Sequence, residues 1–174
     1  MGTTIIRPWQ AQDRLAAAAV VESVLREYGL PWEPETTDRE VLEVESHYLA
    51  VGGEFWVVEA QHPEGAQVVG TGGYFPIARG EKSVEIRKMY LLPEVRGRGL
   101  GRQLLTHLEG SIAAHGFQAI WVETASVLWQ AVALYESAGY RIPDPPVKVG
   151  VARCDRIYVK YLNTCSMNAS LKED

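Results

Sequence analysis

Cysteine is scarce in this chain of 174 residues. Cys154 and Cys165 form no CxxC pair and have no histidine at ligand spacing, so plain thiols are expected rather than a disulfide framework or a zinc site. Histidine is equally sparse. His47, His62, His107 and His115 make neither HxxxH nor HExxH, read as surface or core residues, and leave no metal site to expect. Long apolar runs are missing as well; none approaches the roughly 20 residues that a membrane span needs. Met1–Arg7 lacks a basic region followed by an apolar stretch, so no signal peptide is expected, and Ile6 stands where a myristoylation motif wants Ser or Thr. A cytoplasmic location is the simplest expectation. Nor is there an excess of positive charge: the net charge of −5 argues against a nucleic-acid partner.

What is present is an ordinary globular composition, 47% hydrophobic and 22% charged, at a length that suits one domain with a real core. The charge is uneven. Seven basic residues (Arg79, Lys82, Arg87, Lys88, Arg96, Arg98, Arg102) face three acidic ones between 79 and 102, which is +4 there and −9 elsewhere. A basic island in an acidic chain suits a small polyanion, although a solvated charged face has the same composition.

The periodicities alternate along the chain. Thr3–Arg7 reads as a strand, and Leu15, Ala18, Val21, Val24, Leu25 and Tyr28 follow at helical spacing, stopped by Gly29. Thr37 and Glu40 suggest a capping box for a second helix running to about Leu49. Strands are expected at 54–60, at 67–78 (weakened by Gly70, Gly72 and Gly73) and at 84–92, joined by turns into an antiparallel meander. Then Leu100, Leu104, Leu105, Leu108, Ile112 and Ala113 mark an amphipathic helix closed by Gly116. A strand at 117–124, a helix at 128–138 and a last strand at 155–161 complete the domain, 1–162, with a disordered polar tail expected at 163–174. The strand, helix, strand succession implies one parallel pair. The expected fold class is α/β with a mixed sheet.

The segment Arg96-Gly97-Arg98-Gly99-Leu100-Gly101-Arg102 joins a strand to a helix start. A helix start leaves backbone N–H groups without partners and carries partial positive charge. A phosphate reaches those groups only where no Cβ blocks it, which Gly97, Gly99 and Gly101 provide, while the arginines add charged donors. A P-loop would need GK[ST], and a Rossmann fingerprint GxGxxG; this chain has GxGxG, after three strands rather than at the start of the fold.

Met89-Tyr90-Leu91-Leu92-Pro93-Glu94-Val95-Arg96-Gly97-Arg98-Gly99-Leu100-Gly101 resembles the R/Q-x-x-G-x-G/A motif of the GNAT N-acetyltransferase superfamily. Ala131-Val132-Ala133-Leu134-Tyr135-Glu136-Ser137-Ala138-Gly139-Tyr140 resembles its A-x-x-L-Y-x-x-x-G-F/Y segment. The resemblance implies a mostly antiparallel twisted sheet of about six to seven strands with about four helices. It also implies acetyl-CoA as cosubstrate, its diphosphate on 96–102 and its pantetheine against Met89, Tyr90 and Leu91, with Leu91 placed to donate to the thioester oxygen. Glu85 lies eleven residues before Arg96, the offset of the catalytic Glu in the histone-acetylating branch, and is expected as general base, with a substrate-orienting carboxylate or a surface ion pair with Arg87 as the other readings. Glu123 is a second candidate, as base or ammonium ligand, against a solvated strand end. Tyr135 corresponds to the family's general acid. Leu128 departs from the pattern, standing where many members place a CoA-contacting Asn, so Ser126 or Gln130 would have to supply that contact.

The acceptor pocket is expected from the first two helices and the loop before the last strand, with Tyr28, Leu30, Trp32, Trp129 and Pro143–Pro146 as walls and Arg87 or Lys88 as holders of a carboxylate. A small amine or amino-acid-like acceptor follows, with a protein N-terminus or lysine as the alternative. A coenzyme-binding sensor without turnover, or a module holding another phosphate, remain as other classes; retention of Glu85 and Tyr135 favours an enzyme. A homodimer would fit family habit, and nothing in the sequence fixes it.

Overall fold

The computed structural model describes residues 3–63 and 65–162. Six strands form one sheet in chain order: β1 (Thr4–Pro8), β2 (Glu54–His62), β3 (Gly65–Pro76), β4 (Ser83–Leu91), β5 (Ala119–Thr124) and β6 (Arg156–Tyr161). All neighbours are antiparallel except β4 and β5, which are joined through the helix that follows the glycine-rich turn. The seventh strand of the expected range is reduced to a single bridge, Arg141 to Val159. The expected tail at 163–174 and Cys165 lie outside the described residues. Among the described residues no helix is long and apolar enough to cross a membrane.

Period-two alternation sends the sheet's side chains to two cores. Trp56, Val58 and Ala60 face α4 (Leu100–Ala114) and α5 (Trp129–Ser137), where Leu104, Leu105, Leu108 and Ile112 are buried. Each such leucine contributes about 1.5–3 kcal/mol on burial. Phe55 and Val57 face α1 (Arg14–Glu27), which buries Val20, Val21, Val24 and Leu25. Two residues expected on helix core faces are exposed: Leu15 at 76%, and Ala113. At 3.6 residues per turn each falls roughly 140° around its helix from the middle of the buried stripe, on the solvent side. The glycines of β3 strengthen the sheet by permitting contact. A Cβ on Gly73 would stand 2.6 Å from the Phe55 ring and 2.8 Å from Tyr48.

The second helix is corrected. It is two single turns, α2 (Arg39–Leu42) and α3 (Val44–His47), broken at Glu43, and no Thr37 cap forms. The capping box loses to stronger partners: Glu40 accepts from the buried Tyr48 hydroxyl at 2.9 Å and faces Arg87 at 3.0 Å.

Two features position the site. β4 and β5 pair only from Ser83/Ala119 to Ile86/Val122. Beyond that β4 stays with β3 and β5 stays with β6, so a wedge opens. β4 also bulges: Lys88 and Met89 oppose Gly72 alone, Lys88 has φ 52°, and the Thr71 hydroxyl donates to its carbonyl at 2.7 Å. The bulge puts Arg87 and Lys88, adjacent in sequence, on one face toward α2.

Candidate active site

The wedge is a cavity of about 490 Å³. Its walls are Met89, Tyr90 and Leu91 on β4, Glu123 and Thr124 on β5, and Ala131, Leu134 and Tyr135 on α5. Gly97, Gly99, Gly101 and Arg102 form one end, and Arg87, Arg153 and Cys154 join the wall elsewhere.

At the glycine end, Gly97 (φ 75°) and Gly99 (φ 77°) are left-handed, a backbone that side chains resist, and Gly99 is the N-cap of α4 without any side-chain cap bond. The helix's first backbone bond runs from Gln103 N–H to Gly99, so the N–H groups of Leu100, Gly101 and Arg102 precede the helical ladder. Arg102 donates to Ser137 at 2.7 Å from an exposed position. Arg96 lines the cavity but is tied down: Nε donates to Leu91 O at 2.8 Å, and the Nη atoms clamp Glu27 at 2.7 Å. It braces the turn against α1 in this structure. Arg98 is exposed and Leu100 is a core residue; neither is in the cavity wall.

Leu92 N–H donates to Val69 on β3. Strand alternation therefore turns Leu91 N–H the other way, toward the wedge. Tyr135 is 4% exposed, and its hydroxyl donates toward Met89 Sδ at 3.8 Å. Burial pushes its phenol well above the ordinary value, so it stays a proton carrier. Burial likewise raises Tyr90 to about 12 and the Cys154 thiol to about 11.

Beside the wedge lies a buried charge network that local sequence pattern does not reveal. Asp38, fully buried, receives Lys88 Nζ and Arg153 Nη2 at 2.5 Å each, and Arg153 Nη1 at 2.8 Å. Burial pushes its carboxyl up, but the two cations outweigh that and hold it below the usual range. Lys88, the suggested carboxylate holder, is thus enclosed, with 2% of its side chain exposed. Arg87 contacts Glu40 and stands 3.7 Å from Glu85. Glu123 is no solvated strand end: its side chain is 3% exposed, taking Arg79 at 2.6 Å and the N–H groups of Gly150 and Val151 at 2.9 Å. It anchors the loop before β6.

Glu85 is 8% exposed and absent from the cavity wall, behind Arg87; its partnership with Arg87 is buried rather than superficial. Burial raises its carboxyl to about 7, with Arg87 opposing and Glu123 reinforcing. Trp32 packs on the α1 core and does not line the cavity either. Ser126 is committed to Asp155 through its N–H and hydroxyl, which leaves Gln130, in the wall and 3.4 Å from the Tyr28 hydroxyl, as the neighbour able to replace the missing Asn. Among the described residues no group of three or more His, Cys, Asp or Glu is placed to hold a metal ion.

The model of the acetyltransferase (GNAT) family matches residues 17–140. This chain belongs to the GNAT family. An Escherichia coli K12 relative, the uncharacterized N-acetyltransferase YjgM, is 35% identical over 139 residues, covering 78% of this chain and 81% of that one. A GNAT-family acetyltransferase structure from Staphylococcus aureus Mu50 matches at a TM-score of 0.81 with 19% identity, over 92% of this chain and 100% of that one. The Salmonella typhimurium protein yncA, solved with its cofactor acetyl-CoA, matches at 0.68 with 21% identity, over 99% and 98%. At such identities the structures speak for the fold. Family and relative make this GNAT protein an acyltransferase.

Proposed function

We propose that this enzyme transfers acetyl from acetyl-CoA to the primary amine of a small molecule, by direct attack while both are bound. One observation carries the reading: a single wedge connects the bare helix start of α4 with the Tyr135 hydroxyl. The N–H groups at Gly101 and Arg102 would take the diphosphate, with Arg102 adding charge. Leu91 N–H would donate to the thioester oxygen as it becomes an oxyanion. The acceptor ammonium gives one proton to Glu85 through water, since Glu85 does not reach the cavity itself. The amine then attacks the thioester carbon, the C–S bond breaks, and Tyr135 protonates the leaving thiolate. The second proton lost by the nitrogen returns to Tyr135, and Glu85 releases its own to solvent, so protons balance.

Coenzyme binding is tested by thermal shift: CoA and acetyl-CoA raise Tm, while NAD and ATP do not. Equal stabilisation by NAD or ATP would remove the coenzyme assignment. Thiol release from acetyl-CoA across amines, amino acids and peptides then tests the acceptor; release with peptides alone would move the reading to a protein acetyltransferase.

A further inference from the structure

We propose that the acceptor amine also carries a carboxylate, and that Arg153 reads it through the Nε and Nη2 edge of its guanidinium. This rests on the small-amine reading above and narrows it.

Arg153 is in the cavity wall, with 7% of its side chain exposed. Its position is fixed from several sides. The loop carrying it hangs from Glu123 through the Gly150 and Val151 N–H groups, Cys154 N–H returns to Val151 O, and Asp155 N–H donates to Thr124 O. A guanidinium has five donors arranged along its edges. Here the end formed by Nη1 and Nη2 grips the two Asp38 oxygens, and Nη1 also donates to Pro31 O at 3.1 Å. Nε and the second Nη2 hydrogen lie along the other edge and have no partner among the described residues. That remaining pair has the spacing a carboxylate takes bidentately.

The charges favour the same ligand. Arg87, Lys88 and Arg153 contribute to the cavity wall against one carboxylate, Glu123, which is paired with Arg79; Asp38 and Glu40 do not line it. The buried network comprises Arg79, Arg87, Lys88 and Arg153 against Asp38, Glu40, Glu85 and Glu123. It is neutral with Glu85 ionised. Once Glu85 takes the substrate's proton the network is one positive charge in excess, in a poorly solvated site. A substrate carboxylate supplies the missing negative charge; a plain alkylamine leaves the excess uncompensated.

The experiment uses matched pairs: L-amino acids and the carboxamides of the same amino acids, assayed by CoA release with wild type and with Arg153→Lys. The lysine variant keeps a cation for Asp38 but loses the forked edge. Wild type is expected to prefer the acid in kcat/KM by about 10- to 100-fold, the range for a charge-assisted pair. Arg153→Lys should bring that ratio near one, mainly through a higher KM for the acid. Equal wild-type rates on acid and carboxamide overturn the inference without touching the small-amine reading, as does a ratio that survives in Arg153→Lys. If no member of any pair is acetylated while plain alkylamines are, this inference falls and the small-amine reading stands; if neither is acetylated, both fall.

Discussion

At the glycine end of the cavity the chain offers backbone: N–H groups ahead of the α4 ladder, on residues that lie five apart in sequence or less. Beside the other end lies a network of side chains gathered from positions 38, 40, 79, 85, 87, 88, 123 and 153, of which 87, 88, 123 and 153 reach the cavity wall. The first is local and open to solvent; the second is dispersed and buried. A binding surface made of backbone depends little on neighbours, so its arginines can be lost without unfolding the protein. A network of buried ions depends on every member, because each charge left alone costs several kcal/mol.

The sharpest way to break that contrast is Asp38→Ala, which strands Lys88 and Arg153. A loss of about 3–5 kcal/mol is expected in urea unfolding, against about 0.5 kcal/mol or less for Arg98→Ala at the other end. Similar losses for both variants would mean that the two ends are not built differently.

Tyr135→Phe comes next in size and bears on the chemistry between the two ends. Removing the proton donor should lower kcat by roughly 100- to 1,000-fold while the thermal shift given by acetyl-CoA is unchanged. Normal turnover would take Tyr135 out of the reaction.

Glu85→Gln follows, and its pH dependence has a definite sign. The wild-type carboxyl is raised from the ordinary 4.5 to about 7 by burial. Below 4.5 both folded and unfolded chains hold the proton; between 4.5 and 7 only the folded chain does, so wild-type stability falls as pH rises through that window. The Gln variant escapes this loss. Its advantage over wild type should be absent at pH 4 and reach up to about 3 kcal/mol at pH 8, while kcat/KM drops and loses its limb near pH 7. A constant stability difference from pH 4 to 8 would show that the carboxyl is not perturbed.

The same contrast explains what could be read beforehand. The spacing of Arg96, Gly99 and Gly101 displays the helix start because the chemistry needs neighbours in sequence. The meander and the α4 stripe were legible for the same reason: Leu104, Leu105 and Leu108 repeat at the period of the helix that buries them. Asp38 and Arg153 gave no signal, since their partner relation spans 115 residues and only the folded sheet brings them together. Glu40 misled, because its capping-box spacing from Thr37 is a local pattern that a tertiary partner, Arg87, overrode. Glu123 read as a base, an ammonium ligand or a solvated strand end because nothing in the sequence announces that Gly150 and Val151 will turn their N–H groups to it.

The smallest effect expected separates binding from folding at the backbone end. Gly101 sits in the first turn of α4 and in the cavity wall. A Cβ there would meet Leu134 at 3.5 Å and Leu91 at 3.7 Å, ordinary contacts that require no shift. Helix propensity alone favours alanine by up to about 1 kcal/mol. Gly101→Ala should therefore leave Tm without CoA unchanged or slightly higher. Yet the new methyl stands over the N–H groups proposed for the diphosphate, so the Kd for CoA should rise roughly tenfold, or about 1.4 kcal/mol. Calorimetric titration with CoA decides the point. If affinity holds while stability rises, the glycine serves only the turn, and the diphosphate must lie against other donors.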